Sequence, residues 1–207
     1  MIISITGLIG SGKSTAAEYL VSQHGFAEES FASSLKDAIS VIFNWDRELL
    51  EGKTKESREW REQVDPWWSK RLHMPKLTPR WILQYWGTEV CRYGFQSEIW
   101  VASLEHKLKD LNSNVVISDS RFQNEFNSLK KSGAHLIKVT RGDDPEWVAD
   151  ALAAKKGDHQ AIARIHQLGI HESERAWIDT NFDAILDNNG TTEELYKQID
   201  DLLKVWN

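Results

Sequence analysis

The chain is poor in cysteine. Cys91 is the only one in 207 residues, so no disulfide can close within the chain. That composition predicts a reducing, cytoplasmic setting. Long apolar runs are missing too: none approaches the roughly 20 residues of a membrane-spanning helix. The chain opens on a strand-like segment rather than a charged-then-apolar leader, so no signal peptide and no membrane partner is expected. Basic charge is not in excess. The 31 acidic against 25 basic residues leave a net charge of −6, which speaks against a general nucleic-acid surface. Basic residues are then expected where small anionic ligands bind. No internal repeat, no low-complexity tract and no Asn-Lys-x-Asp guanine-reading motif occurs. The last absence argues against a GTPase-like switch.

What stands out is a glycine loop. Gly7-Leu8-Ile9-Gly10-Ser11-Gly12-Lys13-Ser14 reads G-x-x-x-x-G-K-[ST]. It follows a β-branched apolar run, Met1 to Thr6, and precedes a helix-favouring run with Ala16, Ala17, Tyr19, Leu20 and Val21. Strand, glycine loop and helix is the context a phosphate-cradling P-loop needs. Glycines let successive N–H groups turn toward phosphate oxygens, and the helix terminus adds its dipole. The predicted nucleotide-binding set is Gly7, Gly10, Ser11, Gly12, Lys13, Ser14 and Thr15. Lys13 would reach the β- and γ-phosphates, and the Ser14 hydroxyl would ligate Mg²⁺.

Downstream, Phe26 to Phe31 predicts a short strand. Ser33 or Ser34 then caps a helix with Leu35, Ala38, Ile39, Ile42 and Phe43 on one face. Residues 45–77 mix dense charge with tryptophan and break at Asp65-Pro66 and Met74-Pro75. This stretch reads as an insertion, either a substrate-side cap or an oligomer contact such as a homodimer would use. Thr78-Pro79 starts a helix that Gly94 ends. Along it Ile82, Trp86 and Val90 form an apolar stripe, and Arg80, Gln84, Thr88 and Arg92 a polar one. The polar stripe suits either a phosphorylated ligand or a solvated face. A helix from about 97 to 111 turns Ile99, Trp100, Leu104 and Leu108 inward. Trp100 and its neighbours in 81–100 are core residues or base-stacking rings, and Cys91 reads as a core thiol.

Three further strands follow, near 114–118, 135–140 and 183–187, alternating with helices. A capping box, Thr191 with Glu194, opens the last helix, which turns Leu195, Ile199, Leu202 and Leu203 inward. The pattern predicts an α/β fold in three layers, a mainly parallel sheet with helices on both faces. The whole chain, 1–207, reads as one such domain. Ligands bind beyond the carboxyl ends of such strands, which gathers the glycine loop, Asp119, Arg121 and Arg141. Asp119 could orient a metal with Ser14 or cap the following helix; Arg121 could act on a phosphate or pair with Glu125. His171-Glu172-Ser173-Glu174 reads as a helix start rather than a metal cluster. The polar segment 142–178 is where a lid would sit.

In order along the chain, these pieces resemble the phage deoxynucleoside monophosphate kinases of the P-loop kinase superfamily. Shared are the glycine loop; Phe31-Ala32-Ser33-Ser34-Leu35-Lys36; Thr78-Pro79-Arg80 with Leu83-Gln84 and Gly87-Thr88-Glu89; Arg92 and Ile99-Trp100-Val101. Asp119-Ser120-Arg121 with Asn124-Glu125, His171-Glu172-Ser173-Glu174 and Asp187-Asn188-Asn189-Gly190-Thr191 complete the set. The resemblance implies transfer of the γ-phosphoryl group of ATP, with Mg²⁺, to a deoxynucleoside monophosphate. It implies Lys13, Asp119, Arg121 and Arg141 at the reaction centre, with Ser14 and Asp119 toward the metal. Lys36, Arg80, Gln84, Thr88, Arg92 and Trp100 would serve the acceptor. Animal phosphomevalonate kinases are similar more distantly, with a related Glu-Ser-Glu and a terminal Asn-x-Gly. A non-catalytic nucleotide-binding regulator would share the glycine loop alone.

Overall fold

The structure, a computed structural model, describes residues 1–206. It divides into two compact units. One joins Met1–Ser30 to residues from Leu111 onward, and the other is Phe31–Asp110.

The first unit holds the sheet. Strands β1 (Ile2–Thr6), β2 (Ala27–Glu29), β3 (Val115–Ile117), β4 (His135–Thr140) and β5 (Ala184–Asp187) lie in the order β2-β3-β1-β4-β5. Every neighbouring pair is parallel. Side chains alternate along each strand. Ile3 and Ile5 of β1, with Val116, Ile137, Val139 and Leu186, pack against α1 (Lys13–His24) and α12 (Thr192–Trp206). The helices contribute Ala16, Ala17 and Leu20, and Leu195, Ile199 and Leu203, to this layer. Thr191 and Glu194 form the expected capping box, each side chain taking the other's amide, at 3.2 and 2.7 Å.

The alternate positions face the other way. Leu136 is fully buried there, and α8 (Gln123–Lys131) contacts β4 with Phe126 and Leu129 buried. On β1 the alternate positions are polar. Ser4 and Ser120 hydroxyls lie 2.8 Å apart, and Thr6 donates to the Ser120 carbonyl at 3.4 Å. These bonds hold the chain just past β3 against the central strand.

The second unit is helical: α2 (Ser33–Phe43), α3 (Arg47–Glu51), α4 (Lys55–Glu62), α5 (Pro66–Arg71), α6 (Pro79–Tyr85), a π-helical segment (Trp86–Tyr93) and α7 (Ile99–Leu108). Residues 45–77 thus fold as three short helices within this unit. Tryptophans of this unit surround Phe43: Trp45 stacks on it at 4.5 Å, and Trp68 and Trp86 meet it edge-on at 4.9 and 5.5 Å. The polar tips find partners, as buried indoles must. Trp45 donates to Asp65 at 2.8 Å and Trp68 to the Phe43 carbonyl at 3.0 Å.

Several local expectations are corrected here. Neither Ser33 nor Ser34 caps α2; Ala32 precedes it without a side-chain cap, and the Ser34 hydroxyl instead meets Ser103 of α7 at 2.8 Å. Its buried stripe is Leu35, Ile39 and Phe43, while Ala38 and Ile42 are exposed. On α7 the buried residues are Trp100, Val101 and Leu104. The helix from Thr78 to Gly94 is not α-helical throughout. Thr78 caps α6 as expected, its hydroxyl taking the Trp81 amide at 3.1 Å. From Trp86 the bonding widens to five residues, as in Gly94 N–H to Glu89 at 3.0 Å. A wider turn advances the phase of every later residue. Val90 therefore ends up exposed rather than on the apolar stripe, and Thr88 and Arg92 are buried rather than in one row with Arg80.

Candidate active site

The glycine loop leaves β1 and enters α1 through Gly12, whose φ of 105° is a left-handed value that side chains rarely adopt. A Cβ at Gly12 would stand 2.2 Å from the Asn188 amide nitrogen. That amide, just past β5, donates to the Ser11 carbonyl at 2.8 Å and pins the loop from beneath. Gly12→Ala is expected to cost about 1–3 kcal/mol in backbone strain and to push the Asn188 amide off Ser11. A lowered Tm together with weakened ATP affinity, read by scanning and titration calorimetry, is the expected outcome. The Ser11 hydroxyl is buried without a hydrogen-bond partner, a polar atom left in the floor of the loop.

Lys13 opens α1 and folds its ammonium back to the Leu8 carbonyl, at 2.8 Å. Burial, and then the charge of Arg121, lower its pKa from 10.5 to about 8; Glu174 opposes them. Ser14 is exposed and Thr15 half-buried on the next turn.

Past β3, Asp119 accepts the Ser30 hydroxyl at 2.6 Å. It is not the helix cap, because the N-cap of α8 is Phe122. The capping carboxylate is Glu125, buried, which accepts the backbone amides of Arg121 at 2.6 Å and Phe122 at 3.0 Å. Glu125 therefore fixes the Arg121 backbone and not its guanidinium. The guanidinium goes to Glu174 at 2.8 Å and to the Ser173 carbonyl at 3.2 Å. Both partners sit on a short helix, α11 (Glu172–Arg175), capped by His171, whose ring takes the Ser173 amide at 3.2 Å. Among the described residues no group of three or more His, Cys, Asp or Glu is arranged for a metal.

Past β4, Arg141 is exposed and lines a small cavity with Leu8, Ile9 and Ser11. The next residue, Gly142, donates to Asn189 at 2.7 Å. The pair Asn188–Asn189 thus ties both the glycine loop and the start of segment 142–178 to the end of β5. That segment carries α9 (Glu146–Lys155) and α10 (His159–Gln167). Its cations are partly committed: Lys155 to Asp179, and Arg164 to Asp150 at 2.6 Å.

The acceptor candidates lie in the second unit. Lys36 pairs with Glu51 at 2.6 Å, and Glu51 also holds Arg47. Burial would raise the Glu51 carboxyl, but the bonds and charges of Lys36 and Arg47 outweigh it and hold it below its ordinary range. Arg80 pairs with Glu62, and Gln84 is half-buried. Arg92 is 7% exposed and donates to the Ser97 carbonyl at 3.2 Å, while Thr88 is 4% exposed. Trp100 is buried and its indole donates to the Gly87 carbonyl at 2.8 Å. Lys36 and Arg80 remain the cations of this set with side chains reachable from solvent.

No protein-family model matches the sequence. A protein of Acanthamoeba polyphaga mimivirus described as "Putative deoxynucleotide monophosphate kinase" is 32% identical over 213 residues, which span 96% of this chain and 94% of that one. Among solved structures, TT1252 from Thermus thermophilus is 19% identical at a TM-score of 0.49, over 100% of this chain and 98% of that one. The shikimate kinase of Aquifex aeolicus vf5 is 13% identical at 0.47, over 99% and 96%.

Proposed function

Because the chain belongs to the deoxynucleotide monophosphate kinases, we propose that it transfers the γ-phosphoryl group of ATP to a deoxynucleoside 5′-monophosphate, giving the diphosphate and ADP. The observation that carries this reading is the glycine loop between β1 and α1, whose Lys13 opens the helix and whose Ser11 carbonyl is held by Asn188 at 2.8 Å. Arg121, past the end of the neighbouring strand β3, adds a second cation on the same edge of the sheet.

The chemistry needs positioning and charge neutralisation more than bond-making groups. The acceptor phosphate has a second pKa of about 6, so near neutral pH its oxygen is already a nucleophile and no general base is required. The loop amides and Lys13 hold the β- and γ-phosphates. Arg121 takes up charge on the equatorial oxygens as the transferred group loosens. The donor set fits Mg²⁺: one hydroxyl at Ser14 and one carboxylate at Asp119 are hard oxygens, and few protein ligands suit an ion that keeps waters and phosphates. Bound there, Mg²⁺ would neutralise charge on the β- and γ-oxygens. Lys36 and Arg80 bind the acceptor phosphate in this reading. Segment 142–178 is its lid, excluding water that would otherwise take the phosphoryl group.

Purified protein with Mg²⁺ and ATP should convert at least one deoxynucleoside monophosphate to its diphosphate, with ATP consumption strongly dependent on acceptor. Chromatographic product analysis decides this, with ribonucleotides and mevalonate 5-phosphate in the same panel. Turnover with mevalonate 5-phosphate alone would move the assignment, and no acceptor-dependent turnover would sink the kinase reading. Lys36→Ala and Arg80→Ala should each remove a charge-assisted bond of about 1.5–3 kcal/mol. The expected result is kcat/KM for the monophosphate lowered about tenfold or more, with ATP affinity unchanged. Arg92→Ala, by contrast, should lower Tm, since its guanidinium is buried on a backbone carbonyl.

A further inference from the structure

Resting on the kinase reading, we propose that Glu174 is a positioning residue for phosphoryl transfer: its carboxylate holds the Arg121 guanidinium in one place past the end of β3, so that the arginine meets the transferred group in a fixed orientation.

Arg121 has two kinds of anchor, and they do different things. Its backbone is held without Glu174. Glu125 takes the Arg121 amide at 2.6 Å, and Ser120 is bonded to Ser4 and Thr6 of β1. The Glu174 contact, at 2.8 Å, restrains only the side chain, together with the Ser173 carbonyl at 3.2 Å. A long arginine side chain without such a partner samples many rotamers. Segment 171–182 has attachments of its own. Trp177 is 3% exposed, and Lys155 donates to the Ala176 carbonyl at 2.5 Å. The Glu174 pair is therefore needed neither to place the loop after β3 nor to hold the short helix.

The charges make the same point. Lys13 on α1 is acted on by Arg121 from the loop before α8 and by Glu174 from α11, and the two act oppositely. One carboxylate thus offsets the repulsion between two cations that phosphoryl transfer needs together. The Lys13 pKa of about 8 is the net result, low because burial and Arg121 outweigh Glu174.

The test compares wild type, Glu174→Gln, Glu174→Asp, Arg121→Ala and the Arg121→Ala, Glu174→Gln pair, each as the full chain. Affinity for Mg²⁺·ATP is titrated by calorimetry at one pH, and the Arg121 Nε–H resonance is followed by NMR. Turnover is measured with the acceptor varied, and Tm by scanning calorimetry. Glu174→Gln should lower kcat about tenfold or more, with acceptor KM and Tm close to wild type. Its Arg121 Nε–H resonance should exchange faster than in wild type, as for a guanidinium that has lost its anchor. Glu174→Asp should restore part of both. The double variant should be no slower than Arg121→Ala alone, because Glu174 acts through that arginine. Wild-type kcat in Glu174→Gln with an unchanged Arg121 resonance would overturn the proposal. So would a faster enzyme, which would make Glu174 an inhibitory contact, or a loss matched by collapse of Tm in both Glu174 variants. A wild type that binds ATP but turns over no acceptor would defeat the kinase reading. The changed Arg121 resonance in Glu174→Gln would still report on the pair.

Discussion

Lys13→Ala is expected to lower acceptor-dependent ADP release by about a thousandfold, the upper end of what one preorganised charge donor contributes, while the protein becomes more stable. The stability half follows from linkage. The Lys13 pKa falls from 10.5 in the open chain to about 8 in the fold. The folded state therefore binds this proton less tightly than the unfolded state does. Below pH 8 the lysine is charged in both states and the fold bears the full cost of burying it, on the order of 3 kcal/mol. Between pH 8 and 10.5 the folded lysine sheds its proton and the cost fades. Alanine removes the cost at pH 7, so Tm should rise there, and the gain should shrink as pH climbs past 8. A functional group that the fold holds at a loss is the usual sign of a working site. Far-UV circular dichroism, scanning calorimetry at pH 7 and 9.5, and coupled ADP release check all parts. ADP release near wild type would end the P-loop reading. A Tm that falls would mean the bond to the Leu8 carbonyl outweighs the burial.

Much of this was legible along the chain because it is local. β1, β4 and the last helix announce themselves by period and caps, and the glycine loop carries its meaning in eight residues. What escaped is of two kinds. The first is the π-helical segment 86–93. A reading at four-residue spacing assumes one helical pitch, and a single wider turn moves Val90 outward and Arg92 inward. At Gly87, in this segment, a Cβ would stand 2.8 Å from Leu35. Close packing of this helix on α2 is what the glycine permits. The second kind is long-range. Asn188 supports Ser11 across 177 residues, and Glu174 holds Arg121 across 53. No window of sequence contains such pairs. Both sit in stretches that the family resemblance flagged, without a role. Geometry sets aside one alternative for each of Asp119 and Arg121: Phe122 occupies the cap position of α8, and Glu125 takes the Arg121 backbone amide rather than its guanidinium.

Asp119 then stands as a carboxylate without a capping duty, at the end of the strand beside β1. In this position P-loop enzymes use an aspartate toward Mg²⁺, alongside the hydroxyl that ends the glycine loop. Asp119→Asn keeps the shape and an acceptor for the Ser30 hydroxyl while removing the charge. It is expected to lower kcat by about a hundredfold or more, as for loss of one electrostatic contact in the transition state. The concentration of Mg²⁺ for half-maximal rate should rise together with it, whereas acceptor KM should not. Ser30→Ala removes the 2.6 Å bond to the Asp119 carboxylate. Loss of such a supporting contact typically weakens a metal site by about 10–100-fold, so this variant should be rescued by added Mg²⁺ where Asp119→Asn is not. Stability separates the two roles: a cap lost from α8 would cost about 1 kcal/mol, and no such loss is expected in Asp119→Asn. Unchanged Mg²⁺ dependence in both variants, with Tm lowered, would reduce Asp119 to a structural partner of Ser30 and leave Ser14 as the only residue of the chain assigned toward the metal.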